Sequence, residues 1–231
     1  MKKEPKMQFS CADLVKQSAT QILYNHENDV QKKITDGISF GESYQKKISS
    51  MIPDTYSEMV GVYVKDMFEK KLSMFFANDI VGNGFILEVK STMPDIQIPE
   101  WYFHQSILQS ALYHALIKTN IKDLGICPLV SASYTNENNS VMLKESPLYF
   151  LLFNKEIYSI FFTNEHVIAE FVKFYRTKAL YVSEGWESAK HWNINYNRKE
   201  WEIFKDYIVV DKVPDDQYSI FGTTKRDLFC E

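Results

Sequence analysis

The chain has 231 residues, 45% of them hydrophobic, which is enough apolar material for one sizeable core. We expect a single domain over residues 1–231, with a helical N-terminal extension (1–36), a motif-bearing core (37–118) and a remainder (119–231). No stretch reaches the ~18 to 20 apolar residues that a membrane span requires, so we expect a cytoplasmic protein rather than a membrane-spanning one. The three cysteines form no CxxC pair, which argues against a zinc knuckle, a disulfide framework and a four-cysteine iron–sulfur cluster.

The formal net charge is −4, from 26 Lys plus Arg against 30 Asp plus Glu. Proteins that bind nucleic acid are usually basic, so this balance counts against such a function. It does not exclude one, because binding depends on the local field and an acidic metal site is partly neutralised by its cations.

The first predicted elements are two helices, followed by a group of strands. Ser10 can cap the first helix, and Pro53 ends the second. Because short loops join the strands, neighbouring strands must be antiparallel and form a meander. In chain order, these predictions are helices over 10–34 and 41–51 and strands over 59–67, 71–78 and 85–91.

The most regular helical pattern covers residues 100–118, where the apolar side chains form one broad face. Beyond it the sequence predicts strands over 126–134, 147–154 and 156–163, a helix capped by Thr163 or Asn164 that runs to about Leu180, and an amphipathic segment over 196–208. This order of elements predicts an α/β (α+β) fold with a mixed sheet and helices flanking it.

Charged residues mark the hairpin formed by the second and third predicted strands. Side chains alternate between the faces of a strand, so Glu88 and Lys90 point to the same side. Asp79 ends the neighbouring strand, from where its carboxylate can approach that of Glu88. Two carboxylates on one face repel each other unless a cation lies between them, and hard oxygen ligands favour Mg²⁺ or Mn²⁺. Such a metal activates a bound water, which Lys90 would orient or help to deprotonate.

The E-x-K pattern alone does not distinguish this site from an exposed ion pair, which contributes little to stability. The same pattern occurs at residues 4–6 and 69–71. What sets residues 88–90 apart is their setting, with Asp79 across a tight turn and a long helix after them.

That helix carries Gln105, Gln109 and Tyr113, which are four residues apart and therefore share a face. A polar stripe beside an apolar face also marks an ordinary boundary between core and water. Its position directly after the charged hairpin favours a functional role.

Together these residues resemble the PD-(D/E)XK nuclease superfamily and, within it, the RecB-like nucleases. The resemblance covers about residues 37–118. It consists of Asp79 before a turn, Glu88-Val89-Lys90 on the next strand and Gln109-Ser110-Ala111-Leu112-Tyr113 on the following helix.

The resemblance implies a restriction-endonuclease-like core with a four-stranded mixed sheet. It implies hydrolysis of DNA phosphodiesters that depends on Mg²⁺ or Mn²⁺, by an exonuclease rather than an endonuclease. Asp79, Glu88 and Lys90 would be the catalytic residues, and Gln109 and Tyr113 would contact the substrate or the catalytic groups. The implied partners are single-stranded or duplex DNA and the proteins of a repair, recombination or phage-related complex.

The sequence departs from the RecB-like pattern at the first helix. These nucleases usually carry G-x-x-x-H there, whereas Gly41-Glu42-Ser43-Tyr44-Gln45 has glutamine in the position of the histidine. Other branches of the superfamily use a glutamate on this helix, so Glu42, Asp79 and Glu88 are the expected metal ligands. Gln45 and His26 are alternatives to Glu42, and Glu42 also suits an ordinary acid in the first turn of a helix.

Two other readings stay open. One keeps the fold with a decayed site, as a nucleic-acid-binding or assembly module. The other is an unrelated α+β interaction protein, which becomes preferable if Asp79 and Glu88 lie on opposite faces of the sheet.

Aromatic and basic residues outside the motif have two readings each. Tryptophans can stack on bases, although they more often pack in a core, and they occur here at Trp101, Trp186, Trp192 and Trp201. A basic stripe near Tyr175 is more often a solvated helix face than a binding surface, and it consists of Lys173, Arg176 and Lys178.

Overall fold

The computed structural model describes residues 7–28, 36–63, 72–91, 97–131 and 140–229. The strands are β1 (Met7–Ser10), β2 (Tyr56–Tyr63), β3 (Leu72–Gly82), β4 (Phe85–Lys90), β5 (Cys127–Ser131), β6 (Ser140–Leu143), β7 (Leu148–Phe153), β8 (Glu156–Phe162) and β9 (Ile208–Lys212). The helices are α1 (Cys11–Lys16), α2 (Ala19–Glu27), α3 (Asp36–Ser50), α4 (Glu100–Leu124), α5 (Glu165–Ser183), α6 (Trp186–Tyr196), α7 (Glu200–Phe204) and α8 (Lys225–Phe229), with a 3₁₀ helix at Asp215–Phe221.

The described strands form one mixed sheet in the order β6-β5-β2-β3-β4-β7-β8-β9, and β1 pairs with β3 outside this path. Helices flank the sheet, which confirms the predicted mixed α/β class. Over the described ranges the sheet has nine strands and so exceeds the four that the resemblance implied. None of the described helices is long and apolar enough to cross a membrane.

The predicted meander is present as β2, β3 and β4. These strands pair antiparallel, with Val60 opposite Ala77 in the first pair and Val81 opposite Ile86 in the second. A two-residue turn at Asn83-Gly84 joins β3 to β4, and Gly84 has a φ of 81°, a left-handed conformation that suits glycine. Residues 64–67 and 71 of the predicted strands lie outside the described ranges.

β4 lies at the centre of the sheet and is buried along its whole length. It pairs antiparallel with β3 and parallel with β7, so its backbone is hydrogen-bonded on both sides. Successive side chains of β4 point to opposite faces of the sheet and pack into two different hydrophobic clusters. Phe85, Leu87 and Val89 join a smaller cluster that includes residues of α3 and α8, whereas Ile86 joins the main cluster. Glu88 and Lys90 therefore point to the main-cluster face.

α4 packs against the main-cluster face and is the longest described helix. Buried residues such as Ile107, Ala111 and Leu112 make it a core helix, as the apolar pattern predicted. It runs six residues beyond the predicted end at 118, and it ends at Gly125, whose φ is 72°. The left-handed glycine terminates the helix.

The flanking regions are divided into more elements than the sequence predicted. The helix expected over 10–34 divides into α1 and α2, because Gln17 and Ser18 adopt extended conformations and Ser18 caps α2. The segment expected to be amphipathic over 196–208 contains the end of α6, then α7, and a strand begins at Ile208. Residues 29–34 and the two other E-x-K copies lie outside the described ranges.

Candidate active site

Asp79 lies where the pairing between β3 and β4 stops. The last paired residues of the two strands are Ile80 and Leu87. The next residues in the same register are Asp79 and Glu88, which therefore lie opposite each other. The Val89 N–H donates to Asp79 Oδ2 at 2.7 Å, so the carboxylate takes the place of a backbone acceptor. This hydrogen bond holds the Asp79 carboxylate between β3 and β4, next to Glu88.

Glu88 and Lys90 lie side by side on β4, and both are buried. The Lys90 ammonium donates to Glu88 Oε1 in a close ion pair. A buried ion pair of this kind holds both side chains in one geometry, because separating them would leave an uncompensated charge in the core. The pair is therefore unlike the exposed surface pair that E-x-K alone would suggest.

α4 contributes two further polar groups to the same point. Gln109 Nε2 donates to Glu88 Oε1 at 2.7 Å and to the Tyr113 hydroxyl oxygen at 2.9 Å. Both side chains are buried. Glu88 is thus oriented from two elements, by Lys90 on its own strand and by Gln109 on the helix.

The electrostatics of the site disfavour two ionised carboxylates. Burial, and then the charge of Glu88, raise the pKa of Asp79 from 3.8 to about 7. Burial acts to lower the pKa of Lys90, but the charges of Glu88 and Asp79 outweigh it and raise that pKa above its ordinary value. Extra positive charge between the carboxylates would therefore stabilise the ionised form of Asp79.

Glu88 retains a buried carboxylate oxygen that suits a cation. Its Oε2 is buried and has no hydrogen-bond partner among the described residues, whereas its Oε1 has two. A divalent ion between Asp79 and Glu88 would supply the missing partner, so the two carboxylates fit the Mg²⁺ or Mn²⁺ that the sequence predicted. Within the described ranges, however, no three His, Cys, Asp or Glu side chains come together as a metal-binding group.

The first-helix candidates occupy different places. Glu42 is exposed on α3. Gln45 is half-buried, and its Nε2 donates to the Asp79 carbonyl oxygen at 3.0 Å. His26 is exposed on α2 with its ring edge-on to Phe9, at a centroid separation of 5.3 Å. Of the three, Gln45 is the one in a described contact with the site, and Glu42 as a metal ligand stays a prediction.

α3 approaches β4 closely at Gly41. A Cβ added at this glycine would lie 3.3 Å from Ser91 Oγ, one residue after Lys90. This contact is tighter than ordinary packing, so a larger side chain at position 41 would require the Ser91 side chain to shift by a few tenths of an ångström. The glycine of the G-x-x-x-Q segment is therefore explained by close packing.

Asn78 and Tyr149 were missed by the sequence analysis. Tyr149 on β7 donates its hydroxyl to Asn78 Oδ1 at 2.5 Å, directly beside Asp79, and both residues are buried. Burial, and then the nearby charge of Glu88, raise the pKa of Tyr149 well above its ordinary value. An amide that immediately precedes the aspartate in an apolar strand was the available signal for Asn78. No local signal identifies Tyr149, since its contact crosses 71 residues of sequence.

No known family model and no curated protein matches the chain. Among solved structures, the fold is similar to the one described as "Crystal structure of SSO0001", with 14% sequence identity and a TM-score of 0.43. The similarity covers 77% of this chain and 78% of that chain. A likeness at this level assigns neither a family nor an activity.

Proposed function

We infer that the chain is a metal-dependent deoxyribonuclease of the PD-(D/E)XK superfamily, of the RecB-like type. The observation that carries this proposal is the convergence of Lys90 and Gln109 on one carboxylate oxygen of Glu88, with the Asp79 carboxylate fixed on the adjoining strand. A hairpin with a purely structural role would not need four polar side chains to meet here, one of them from α4. A site that binds a cation and a phosphodiester would.

Each group has a role that its contacts support. When bound, a divalent cation would supply an activated water and stabilise the charge that develops on the phosphodiester. Asp79 and Glu88 would hold it through their carboxylates. Lys90 would orient the water and offset negative charge. Gln109 and Tyr113 would position Glu88, because the glutamine bridges the tyrosine hydroxyl and the carboxylate.

The direct test is digestion of end-labelled linear DNA with Mg²⁺ or Mn²⁺, alongside covalently closed circular DNA of the same sequence. We expect metal-dependent degradation of the linear form and little cleavage of the circle, as an exonuclease requires an end. Asp79→Asn and Lys90→Ala should each lower the rate by roughly 100-fold or more, since each removes charge stabilisation from the reacting centre.

Matched controls separate chemistry from general charge effects. Asp206→Asn and Lys144→Ala make the same chemical changes at exposed positions and should leave the rate unchanged. Circular dichroism would establish that each variant is folded. Cleavage that survives both site substitutions would overturn the proposal.

One observation favours the alternative of a decayed site that serves as a nucleic-acid-binding or assembly module. Glu42 is exposed, and the position of the family histidine holds Gln45, which donates to a backbone carbonyl. Only two carboxylates then remain for the metal. Titration calorimetry with Mn²⁺ distinguishes the readings: a functional site gives saturable binding that Asp79→Asn removes, and a decayed site gives none.

A further inference from the structure

A cavity of about 650 Å³ lies between the end of α1, the start of α2, the first half of α4 and residues 197–202, which lead into α7. This volume falls within the ~300–1,000 Å³ that small-molecule and cofactor sites usually occupy. None of the catalytic residues described above lines it. It therefore requires its own account.

The cavity lies close to the catalytic centre. Gln105 and Leu108 line it, and Gln105 precedes Gln109 by one turn of α4, a rise of roughly 6 Å. Lys16 also lines it, and its charge acts to lower the pKa of Asp79. The cavity therefore lies within about one helical turn of the residue that contacts Glu88.

The cavity wall is aromatic. His104 stacks on Trp201, with centroids 4.3 Å apart and ring planes 11° apart. Trp101 also lines the cavity, lies edge-on to Tyr102, and is 60% exposed. An exposed indole at the mouth of a cavity is a large apolar surface that only a flat, apolar group would cover well.

The charges on the cavity favour an anionic occupant. Lys16 and Arg198 line it as cations. Its two acids already have lysine partners: the buried Glu200 with Lys178 at 3.2 Å, and the exposed Glu202 with Lys205 at 2.6 Å. Flat apolar surface beside positive charge matches the bases and phosphates of a nucleic-acid strand.

We propose that this cavity binds unpaired nucleotides of a single-stranded DNA, with a base stacked on Trp101 and the backbone held by Arg198. The proposal rests on the proposed function in one respect, the identity of the substrate as DNA. A duplex keeps its bases stacked inside and cannot present one to a cavity wall, so single strands bind in preference.

Fluorescence anisotropy of a labelled 12-nucleotide single strand, in EDTA to prevent cleavage, tests this binding on the full chain. Trp101→Ala should weaken binding by about 5- to 150-fold, whereas Trp101→Phe, which keeps a ring, should lose much less. Arg198→Ala should weaken binding and reduce the slope of log K against log salt by about 0.7, the value for one phosphate contact on a single strand.

Trp186→Ala is the matched control. Trp186 is also exposed, but it donates to Glu27 and lies outside the cavity lining. Its substitution should leave the affinity within twofold of wild type. The same oligonucleotide as a duplex should bind at least tenfold more weakly than the single strand.

The outcomes separate this proposal from the nuclease proposal. Affinity that Trp101→Ala and Arg198→Ala do not change would overturn the single-strand site, even if the protein cleaves DNA with metal. Equal affinity for duplex, or binding to neither form, would also overturn it. Trp101-dependent binding of the single strand without any metal-dependent cleavage would uphold the site and refute the nuclease.

Discussion

Replacement of Asp79 by Asn should stabilise the metal-free protein, although it removes a proposed metal ligand. The pKa of this carboxyl is raised from 3.8 to about 7 by burial and by Glu88. Below about pH 4 the group is protonated in the folded and unfolded states alike, and it adds no penalty. As the pH rises towards 7 the unfolded chain ionises first, so the folded state loses stability, and the full penalty is present above pH 7.

The size of the effect follows from the shift. A change of one pKa unit corresponds to ~1.4 kcal/mol, so a shift from 3.8 to about 7 corresponds to roughly 4 kcal/mol of destabilisation at pH 8. Asparagine is uncharged, like the protonated aspartic acid, so it should recover most of this free energy. Its carbonyl oxygen can still accept from the Val89 N–H. We expect a net gain of about 3–4 kcal/mol at pH 8, or roughly 6–16 °C in melting temperature.

Urea unfolding in EDTA at pH 8 and at pH 4.5 measures this directly. The advantage of Asp79→Asn should be largest at pH 8 and should fall to about 1 kcal/mol at pH 4.5. Asp206→Asn, at an exposed position, should show no such dependence. Mn²⁺ at 100 times its dissociation constant should stabilise the wild type by ~2.7 kcal/mol and the variant far less. A variant that is less stable than wild type at pH 8, or equally favoured at both pH values, would refute the reasoning.

Three further substitutions test the surroundings of the site and the core. Tyr113→Phe removes the hydroxyl that accepts from Gln109; it should cost about 1 kcal/mol in urea unfolding and lower DNA cleavage roughly 10- to 100-fold. Burial, and then the charge of Lys118, lower the pKa of His114 to about 4. As the pH falls from 7 to 4, mainly the unfolded chain takes up the proton, so the free energy of unfolding of the wild type should fall by about 3 kcal/mol relative to His114→Phe in urea unfolding. Lys178→Met leaves the Glu200 carboxylate buried without its ion-pair partner and should cost roughly 3–5 kcal/mol in urea unfolding, most of it recovered when Glu200→Gln is added.

The elements that the sequence predicted best are those with local signals. The meander follows from short loops, which leave antiparallel pairing as the only option for neighbouring strands. α4 follows from an apolar period sustained over many residues. Its extension past 118 was missed, because the prediction relied on the apolar repeat and the stop signal, Gly125, lies beyond it.

Contacts within the candidate site could be predicted from the sequence when their residues are close together in the chain. The shared face of Glu88 and Lys90 follows from strand alternation alone. The contact between Gln109 and Glu88 crosses 21 residues, and no spacing rule predicts it, so it was expected only from the family resemblance. Which residue of α3 contacts Asp79 depends on how that helix packs against the sheet, and the sequence does not determine this packing. Glu42 and Gln45 therefore stayed alternatives in the sequence analysis.

Tertiary packing overrode the local pattern at Lys178. Its sequence neighbours suggested a solvated helix face, but the side chain is buried, donates to the Leu14 carbonyl oxygen at 2.6 Å and pairs with Glu200. β1 was missed for a similar reason. A four-residue strand has too few positions for an alternating pattern, and its identity comes from its parallel pairing with β3.

The parallel pairing of β4 with β7 determines how the chain can be divided. Residues 37–118 contain every motif position, and they have the appearance of a self-sufficient module. All six residues of β4 nevertheless pair with Leu148–Phe153. A fragment that ended at 118 would expose the backbone of its central strand along an apolar edge, which favours aggregation. We expect such a fragment to be insoluble on expression, whereas the full chain folds, so the half without motifs is indispensable to the half that carries them.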